Sequence, residues 1–167
     1  MKKVDLYQYD KMRGGALPLY QYFLRKANTP SRLLAFINNV LLRFFSFLYK
    51  VEISSKTKIG KGLYIGHPYC ITINPKAELG DNINIHKGVT IGQENRGVRK
   101  GVPKIGNCVW IGVNATIVGK INIGDDVLIA PNTYVNCDIP SHSIVFGNPC
   151  IIKHRDNATE GYVNKKV

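Results

Sequence analysis

The chain has 167 residues, a length that suits one domain with a small appendage, and 23 Lys and Arg outnumber 11 Asp and Glu to give a net charge of +12. A basic surface suits nucleic acid, anionic lipid or a phosphorylated small ligand. The sequence has no zinc-finger, helix-turn-helix or aromatic-interleaved basic pattern, so we expect no nucleic-acid partner. The four cysteines form no C-x-x-C pair and the N-terminus lacks the apolar run of a signal peptide, which favours free thiols in a cytoplasmic protein.

Residues 1–50 are predicted to form a short helical segment. Residues 1–16 are polar and contain glycine, so they are interpreted as irregular, and residues 17–27 as a short helix. Thr29 and Pro30 are typical of a helix start, with Thr29 as the N-cap and Pro30 at the first helical position. The helix that follows is expected over residues 31–50.

The helix predicted over residues 31–50 is mostly apolar, with its polar residues on one narrow stripe. A membrane-spanning helix needs about 20 predominantly apolar residues, and Asn38, Asn39 and Arg43 interrupt this one too early. We expect its wide apolar face to pack against the first turns of the following domain or against another subunit. The alternative is peripheral contact, with the helix lying in the plane of a membrane surface.

Aliphatic residues recur every six positions from Ile53 onwards, with one slip of two residues and one break. The period of six is typical of parallel β-helices, in which each six-residue unit is a short strand and a turn, and three units close one triangular coil. Helices and exposed strands would show periods of 3.6 and 2 instead. We therefore predict an all-β parallel β-helix over residues 51–153. The repeat positions are Ile53, Ile59, Ile65, Ile71, Ile73, Leu79, Ile85, Ile91, Ile105, Ile111, Ile117, Ile123, Ile129 and Val135.

Three other segments depart from the repeat. Residues 92–104 are polar, basic and rich in glycine, and they are predicted to form a loop extruded from the solenoid. A long loop that interrupts a strict repeat favours a functional role. The prolines and Gly147 that follow Val135 are expected to end the repeat and close the helix. The polar tail, residues 154–167, is expected to be loose.

The strongest catalytic candidate is His67, which follows a repeat position and falls in a turn, where its imidazole can reach the surface. A neutral histidine is the commonest general base near pH 7. Glu52 lies fifteen residues earlier, close to one coil below, where its carboxylate can orient the imidazole and stabilise its cation. A plain surface histidine is the alternative interpretation.

The sequence resembles the hexapeptide-repeat acetyltransferases over about residues 51–153. The resemblance rests on VEI at residues 51–53, IGKGLYIGH at 59–67, ITI at 71–73, GVTIG at 88–92, PKIG at 103–106, WIG at 110–112 and GNP at 147–149. Within that family the chain is most similar to serine acetyltransferases and to bacterial exopolysaccharide O-acetyltransferases. The N-terminal helices match only loosely.

The resemblance implies a homotrimer of left-handed β-helices that uses acetyl-CoA as a co-substrate and needs no metal. It puts His67 at the position of the catalytic histidine and Glu52 at that of the acid partner. Backbone N–H groups near Gly92 and Gln93 are predicted to stabilise negative charge on the thioester oxygen. Expected contacts to the pantetheine arm are Gly112, Val113, Asn114, Ala130 and Pro131, and expected contacts to the CoA phosphates are Lys153, Arg96, Arg99 and Lys104.

Two departures from the serine acetyltransferases bear on the acceptor. Those enzymes carry an Asp before the catalytic histidine, where this chain has Gly66, and an Arg-His pair where it has Gly101 and Val102. A buried amino-acid substrate needs charged partners for its ammonium and carboxylate groups. The sequence therefore favours O-acetylation of a saccharide hydroxyl in surface polysaccharide biosynthesis, with serine O-acetyltransferase as the alternative.

Two further alternatives use the same fold. A γ-type carbonic anhydrase would need three convergent histidines, whereas His67 and His86 lie nineteen residues apart and no H-x4-H spacing occurs. A non-catalytic scaffold would be favoured if His67 and Glu52 were absent. Trp110 faces outward by the repeat, and is expected to pack at the trimer interface or, alternatively, to stack on the adenine of CoA.

Overall fold

The structure is a computed structural model that describes residues 5–167. Three helices lie at its N-terminal end: α1 Leu6–Arg13, α2 Pro18–Lys26 and α3 Arg32–Tyr49. Helix α1 corrects the prediction that residues 1–16 are irregular, of which residues 1–4 lie outside the described part. Asp5 is its N-cap, and its side chain accepts a hydrogen bond from the Tyr7 N–H at 3.2 Å.

Helix α3 begins two residues later than the Thr29-Pro30 signal predicts. Ser31 is the N-cap, and its side-chain oxygen accepts from the Leu34 N–H at 3.5 Å, so Pro30 lies outside the helix. The helix ends at Lys50, which adopts a left-handed conformation with φ 51° and donates its N–H to the Ser46 carbonyl.

The strands are short and follow the six-residue repeat. Fifteen strands occur in residues 5–167, and each of the first thirteen spans two or three residues. They are β1 Val51–Ile53, β2 Lys58–Ile59, β3 Tyr64–Ile65, β4 Ile71–Ile73, β5 Glu78–Leu79, β6 Asn84–Ile85, β7 Thr90–Gly92, β8 Lys104–Ile105, β9 Val109–Ile111, β10 Thr116–Val118, β11 Asn122–Ile123, β12 Val127–Ile129, β13 Tyr134–Val135, β14 Ser143–Phe146 and β15 Ile151–His154.

These strands form the three walls of a parallel β-solenoid. Sheet 1 has the order β1-β4-β7-β10-β13, sheet 2 the order β11-β8-β5-β2, and sheet 3 the order β15-β14-β12-β9-β6-β3. Every neighbouring pair is parallel except β14 and β15. The step of three in strand number confirms that three repeats make one coil.

The repeat positions form the core. All of them, from Ile53 to Val135, are buried, and the register places each one on its counterpart in the next coil, as with Ile73 on Ile91 and Ile111 on Ile129. Burial of one such side chain contributes about 1.5–3 kcal/mol relative to exposure. The stack of aliphatic residues therefore holds each coil to the next one along the chain.

The solenoid continues one strand further than predicted before it is closed. Strand β14 pairs in parallel with β12, so the repeat persists beyond Val135 despite the prolines. Strand β15 then folds back antiparallel on β14, with Phe146 opposite Ile151. This reversal covers the open edge of sheet 3, which protects it from pairing with another chain.

The N-terminal helices pack on the first coil through one side only. Tyr20 is fully buried, its hydroxyl bonds to the Ile53 backbone, and burial raises its pKa to about 12. Helix α3 buries Leu42, so packing against the first coils is confirmed for that side. The opposite face is exposed, and by length and composition α3 is apolar enough to cross a membrane, with a mean hydropathy of 1.3 over 18 residues. The exposed large side chains on that face are Leu33, Leu34, Phe36, Ile37, Val40, Phe44, Phe47 and Leu48.

The C-terminal tail is packed along sheet 3, which corrects the prediction that it is loose. Val163 is buried, Asn84 donates to the Tyr162 carbonyl at 2.9 Å, and Asn82 is hydrogen-bonded to Val167 through both its amide groups. The polar composition of the tail concealed this because most of its contacts are hydrogen bonds from side chains of the solenoid.

Asp126 anchors the start of the tail. Its carboxylate accepts hydrogen bonds from the Ala158 N–H at 2.9 Å, the Thr159 N–H at 3.0 Å and the Thr159 hydroxyl at 2.7 Å, and it contacts His142 Nδ1 at 3.0 Å. Burial alone would raise the pKa of Asp126, but these donors outweigh it and lower the pKa to about 2.

Replacing Asp126 with Asn should therefore destabilise the fold by about 2 kcal/mol at pH 7. Because the folded-state pKa lies below the ordinary value of 3.8, this contribution is complete above pH 3.8 and is lost as the pH falls towards 2. Urea unfolding of wild type and Asp126→Asn should thus give a difference at pH 7 that shrinks at pH 3. Asp156→Asn, at an exposed carboxylate, is the matched control, and an equal loss in both variants would contradict the anchoring role.

Candidate active site

One corner of the solenoid collects His67 and the five residues predicted to contact the pantetheine arm. It consists of the turns that lead from sheet 3 to sheet 1, and we call it the His67 corner. The turns are joined by backbone hydrogen bonds, from Gly88 N to Tyr69 O at 3.1 Å, from Asn114 N to Lys87 O at 3.0 Å and from Asn132 N to Val113 O at 2.9 Å. From the first coil upwards they are residues 66–70, 86–89, 112–115 and 130–133.

His67 lies in the longest of these turns. Ile73 follows Ile65 by eight residues, whereas their counterparts in the next coil, Ile85 and Ile91, are six apart, so this corner holds the two extra residues that make the slip in the repeat. Tyr69 and Cys70 both have positive φ, 88° and 54°, a conformation that costs energy for residues other than glycine and is common at functional sites. The His67 side chain is exposed, as predicted.

Glu52 lies on the outer face of sheet 1, in a groove of about 420 Å³. It is directly opposite Thr72 in the neighbouring strand, and Gly92 lines the same groove. Gln93 adjoins it, because Asn74 donates to the Gln93 side-chain oxygen at 3.4 Å. The structure therefore brings Glu52, Gly92 and Gln93 together on the outer face of sheet 1, towards the edge opposite the His67 corner. In the described part of the chain, the His67 imidazole and the Glu52 carboxylate form no hydrogen bond with each other.

The turns predicted to bind the pantetheine arm lie on the same corner as His67. Gly112, Val113 and Asn114 form the third turn, and Ala130 and Pro131 begin the fourth. A Cβ at Gly112 would lie 2.6 Å from the Pro131 nitrogen, so glycine is required for the two turns to stack. Neighbouring strands are about 4.8 Å apart, which places these turns roughly 10 and 14 Å above His67 along the solenoid.

The predicted phosphate contacts divide between two places. Lys153 lies on β15, and its ammonium is 5.6 Å from the centre of the Phe146 ring, next to the fourth turn of the His67 corner. Arg96 and Arg99 belong to the extruded loop, which leaves sheet 1 at its opposite edge, where the Arg99 carbonyl accepts from Lys120 N at 2.8 Å. Lys104 lies on sheet 2, with its ammonium 3.6 Å from the Glu78 carboxylate. Within one chain these three residues do not meet the His67 corner.

The extruded loop is a small hairpin rather than an irregular excursion. Glu94 and Gly101 exchange two backbone hydrogen bonds of 2.9 Å. The tip between them is exposed, and Val98 is 97% exposed. A projecting hairpin of this kind presents side chains to whatever lies beside sheet 1.

His86 is a site residue that the sequence analysis did not select. It lies in the second turn of the His67 corner, and its ring centre is 5.7 Å from that of His67 and 4.8 Å from that of Trp110. The two histidines are nineteen residues apart, and the first coil is about that long. This spacing could have indicated from the sequence that His86 lies above His67. Trp110 packs between His86 and Tyr162 of its own chain, and its packing at a subunit interface stays a prediction.

Metal-ligating groups do not cluster in the described part of the chain. Between residues 5 and 167, no three His, Cys, Asp or Glu side chains converge as a metal site would require. The four cysteines are free, and Cys137 Sγ lies 3.6 Å from Cys150 Sγ.

Curated proteins similar to this chain are serine acetyltransferases. The enzyme of Helicobacter pylori is 37% identical over 113 residues, which are 68% of this chain and 66% of that protein. That of Staphylococcus aureus is 37% identical over 119 residues, 71% of this chain and 54% of the relative. Serine acetyltransferase 2 of Arabidopsis thaliana is 33% identical over 134 residues, 80% of this chain and 41% of the relative. The chain thus spans less than two thirds of the length of these relatives. No family model matches the sequence.

Solved structures of serine acetyltransferases share the fold. The soybean apoenzyme has a TM-score of 0.69 at 26% identity, covering 81% of this chain and 56% of that chain. The Neisseria gonorrhoeae enzyme in complex with serine has a TM-score of 0.65 at 32% identity, covering 83% of this chain and 55% of that chain. These matches assign the solenoid to the left-handed β-helices. The chain therefore belongs to the hexapeptide-repeat, left-handed β-helix acetyltransferase family and resembles the serine acetyltransferases.

Proposed function

We propose that the protein is an O-acetyltransferase that moves the acetyl group of acetyl-CoA to a hydroxyl oxygen. One observation carries the proposal. His67 is exposed on the same corner as the turns at residues 112–114 and 130–131, so a general base and an extended backbone surface for the pantetheine arm lie along one line. The similarity to serine acetyltransferases supports the same reaction.

His67 would act as the general base. Acetyl-CoA supplies an activated thioester carbonyl. The neutral imidazole of His67 takes the proton of the acceptor hydroxyl as its oxygen attacks that carbonyl, and it then returns the proton to the departing CoA sulfur. Glu52, on the outer face of sheet 1, would stabilise the imidazolium in the substrate-bound state, since catalytic hydrogen bonds are often long before substrate binds. Backbone N–H groups near Gly92 and Gln93 lie towards the opposite edge of sheet 1, so they would stabilise the carbonyl oxygen at a site shared with a neighbouring copy.

We further propose that the active unit is a homotrimer. Three of the predicted phosphate contacts lie across sheet 1 from the His67 corner of their own chain, namely Arg96, Arg99 and Lys104. They would therefore reach CoA phosphates only at the His67 corner of a neighbouring copy. Closed threefold packing of a triangular solenoid would supply that arrangement. The free thiols of all four cysteines support a cytoplasmic location.

The exposed apolar face of α3 is proposed to be covered by a neighbouring copy in the same trimer. Light scattering after gel filtration should then give three times the chain mass of 18.7 kDa. Replacing Phe36 and Phe47, which are 67% and 74% exposed, with Ser should shift the mass towards the monomer, and replacing Met12, which is 64% exposed on α1, with Ser should not. A monomeric wild type that floats with anionic vesicles would instead support the alternative of peripheral membrane contact.

L-serine is the acceptor that the comparisons favour. The similar curated proteins and solved structures named above are serine acetyltransferases, and one of those structures holds serine. On this evidence serine O-acetylation has better support than the saccharide acetylation that the sequence analysis put first.

A saccharide hydroxyl remains the second candidate because of three residues. Gly66, Gly101 and Val102 occupy positions where the resemblance leads us to expect Asp, Arg and His, so the charged groups that would hold an amino acid are missing. A neutral acceptor needs no such partners, and leaving the ammonium and carboxylate of serine unpaired in a buried site would cost free energy.

A product assay distinguishes the two acceptors. The protein is incubated with acetyl-CoA and either L-serine or methyl α-D-glucopyranoside, and the products are identified by mass spectrometry, with His67→Ala as the control. O-acetylserine that forms with wild type and not with the variant supports the serine proposal. An acetylated glycoside without O-acetylserine would replace it with the saccharide proposal. No product in either arm, with no CoA release, would favour a non-catalytic scaffold.

A further inference from the structure

His86 lies where the acceptor substrate should approach His67. It occupies the second turn of the His67 corner, one coil above His67, and the two ring centres are 5.7 Å apart. The His86 side chain is largely buried, with 8% of the residue exposed. None of the roles assigned above uses this imidazole.

The hydrogen bonding of His86 fixes which nitrogen carries the proton. Nδ1 lies 2.9 Å from the carbonyl oxygen of Ile111. A carbonyl oxygen can only accept, so Nδ1 is the donor and Nε2 carries a lone pair when the ring is neutral. Burial lowers the pKa of His86, the Ile111 hydrogen bond raises it, and the nearby His67 lowers it further, with burial dominant. The neutral form, with an accepting Nε2, therefore prevails near pH 7.

The accepting nitrogen is directed towards the space beside His67. A Cβ built on Gly66 would lie 2.8 Å from His86 Nε2 and 2.9 Å from its Cδ2, so only glycine leaves room for the ring. Gly66 is half-buried and directly precedes His67. The edge of the His86 ring therefore occupies the position of the missing side chain at residue 66.

His86 Nε2 is unpaired and open to solvent. It has no hydrogen-bond partner among residues 5–167, and the buried side-chain atoms without partners in that range are Thr57 Oγ1 and Thr133 Oγ1. A groove of about 490 Å³ continues from His86 along sheet 3, lined by Tyr64, Trp110 and Tyr162 among others. An acceptor bound against His86 thus has room to extend away from His67 over a surface that combines aromatic rings with polar side chains, among them Arg13 and Lys165.

We propose that His86 is an acceptor-binding residue, whose Nε2 accepts a hydrogen bond from an N–H or O–H group next to the hydroxyl that His67 deprotonates. The inference rests on the proposed acetyl transfer. In L-serine the donor would be the ammonium group, and in a sugar it would be a neighbouring hydroxyl. A neutral imidazole gives an ammonium no compensating charge, so a hydroxyl is the better matched donor.

Two substitutions separate binding from structure. In His86→Asn, the side-chain amide of Asn lies close to the position of Nδ1 in His86. This variant therefore keeps a donor for the Ile111 carbonyl but lacks the accepting Nε2. The amide oxygen of Gln in His86→Gln reaches towards the place of Nε2, so it restores an acceptor and weakens the Ile111 contact. A purely structural His86 should tolerate Asn better than Gln, and an acceptor-binding His86 should show the opposite order.

The test measures steady-state CoA release with L-serine and with methyl α-D-glucopyranoside as separate acceptors. For the acceptor that is used, His86→Asn should raise the KM for that acceptor about tenfold, the value for one lost hydrogen bond, and leave the KM for acetyl-CoA unchanged. His86→Gln should recover part of the loss, and His154→Asn, on the exposed strand β15, should behave as wild type. The arm that responds identifies the donor as ammonium or hydroxyl.

Two results would overturn the inference while leaving acetyl transfer intact. They are an acceptor KM within twofold of wild type in His86→Asn, and equal increases in the KM of acceptor and donor. If wild type releases no CoA with either acceptor, the proposed function fails first. In that case long-range proton–nitrogen NMR of His86 decides the inference, because a bound L-serine or methyl α-D-glucopyranoside must shift the Nε2 resonance. An unmoved resonance at saturating concentrations of both compounds would exclude the contact.

Discussion

His67→Ala should lower kcat for CoA release roughly 10²–10⁴-fold, the usual contribution of a positioned general base. The imidazole is exposed on the corner that also presents the turns at residues 112–114 and 130–131. Its removal takes away the proton acceptor and leaves the surface that binds the donor. The KM for acetyl-CoA should therefore change little. Steady-state kinetics with a thiol reagent measure both parameters.

The matched control for this variant is His154→Ala. His154 is a similarly exposed histidine on β15, and its nearest charged partner is Asp156, 3.4 Å away. It should keep wild-type activity. Glu52→Gln should fall between the two, because Glu52 supports the imidazolium without receiving the proton. Equal activity of wild type and His67→Ala would remove His67 from the mechanism.

Asp10→Ala should destabilise the fold by about 3–5 kcal/mol, because it leaves a buried cation without its counter-ion. Asp10 is 1% exposed and forms a two-pronged ion pair with Arg25, with distances of 2.8 and 3.1 Å. It also accepts from the Leu63 N–H at 2.8 Å. The pair thus joins α1, α2 and the first coil. Urea unfolding monitored by circular dichroism measures the loss.

An exposed ion pair on the solenoid provides the comparison. Glu78 is paired with Lys58 at 2.8 Å, but the Lys58 side chain is 78% exposed. Glu78→Ala should therefore lose far less stability than Asp10→Ala, because solvent screens an exposed ion pair. If the two alanine variants lost equal stability, the account of α1 and α2 as a clamp on the first coil would be wrong.

The solenoid could be predicted from the sequence because its core is local. Each coil buries Ile or Leu against the same position of the next coil, so a fixed spacing of six is enough to reveal the fold. His67, Gly112–Asn114 and Ala130–Pro131 could be placed on one corner for the same reason, since residues in the same phase of the repeat lie above one another. The slip at Ile71–Ile73 also had a structural meaning, because it lengthens the turn that holds His67.

The parts that the sequence did not predict depend on contacts between segments far apart in the chain. Helix α1 is held by Asp10 to Arg25 and Leu63, and the tail is held by Asp126 and Asn82, contacts that no periodic pattern reports. His86 was overlooked because a histidine in a turn is usually a surface residue. Its importance follows from the Ile111 carbonyl and the space over Gly66, which only the folded chain brings together.

The most direct test of the account is thiol release from acetyl-CoA by the wild-type protein with and without L-serine. We predict release that serine stimulates and that His67→Ala abolishes, which would establish both the reaction and the acceptor. Slow release that depends on His67 but ignores serine would keep the acetyltransferase and move the acceptor to a saccharide. Absence of thiol release with L-serine and with methyl α-D-glucopyranoside would contradict the assignment of the His67 corner as an acetyl-transfer site.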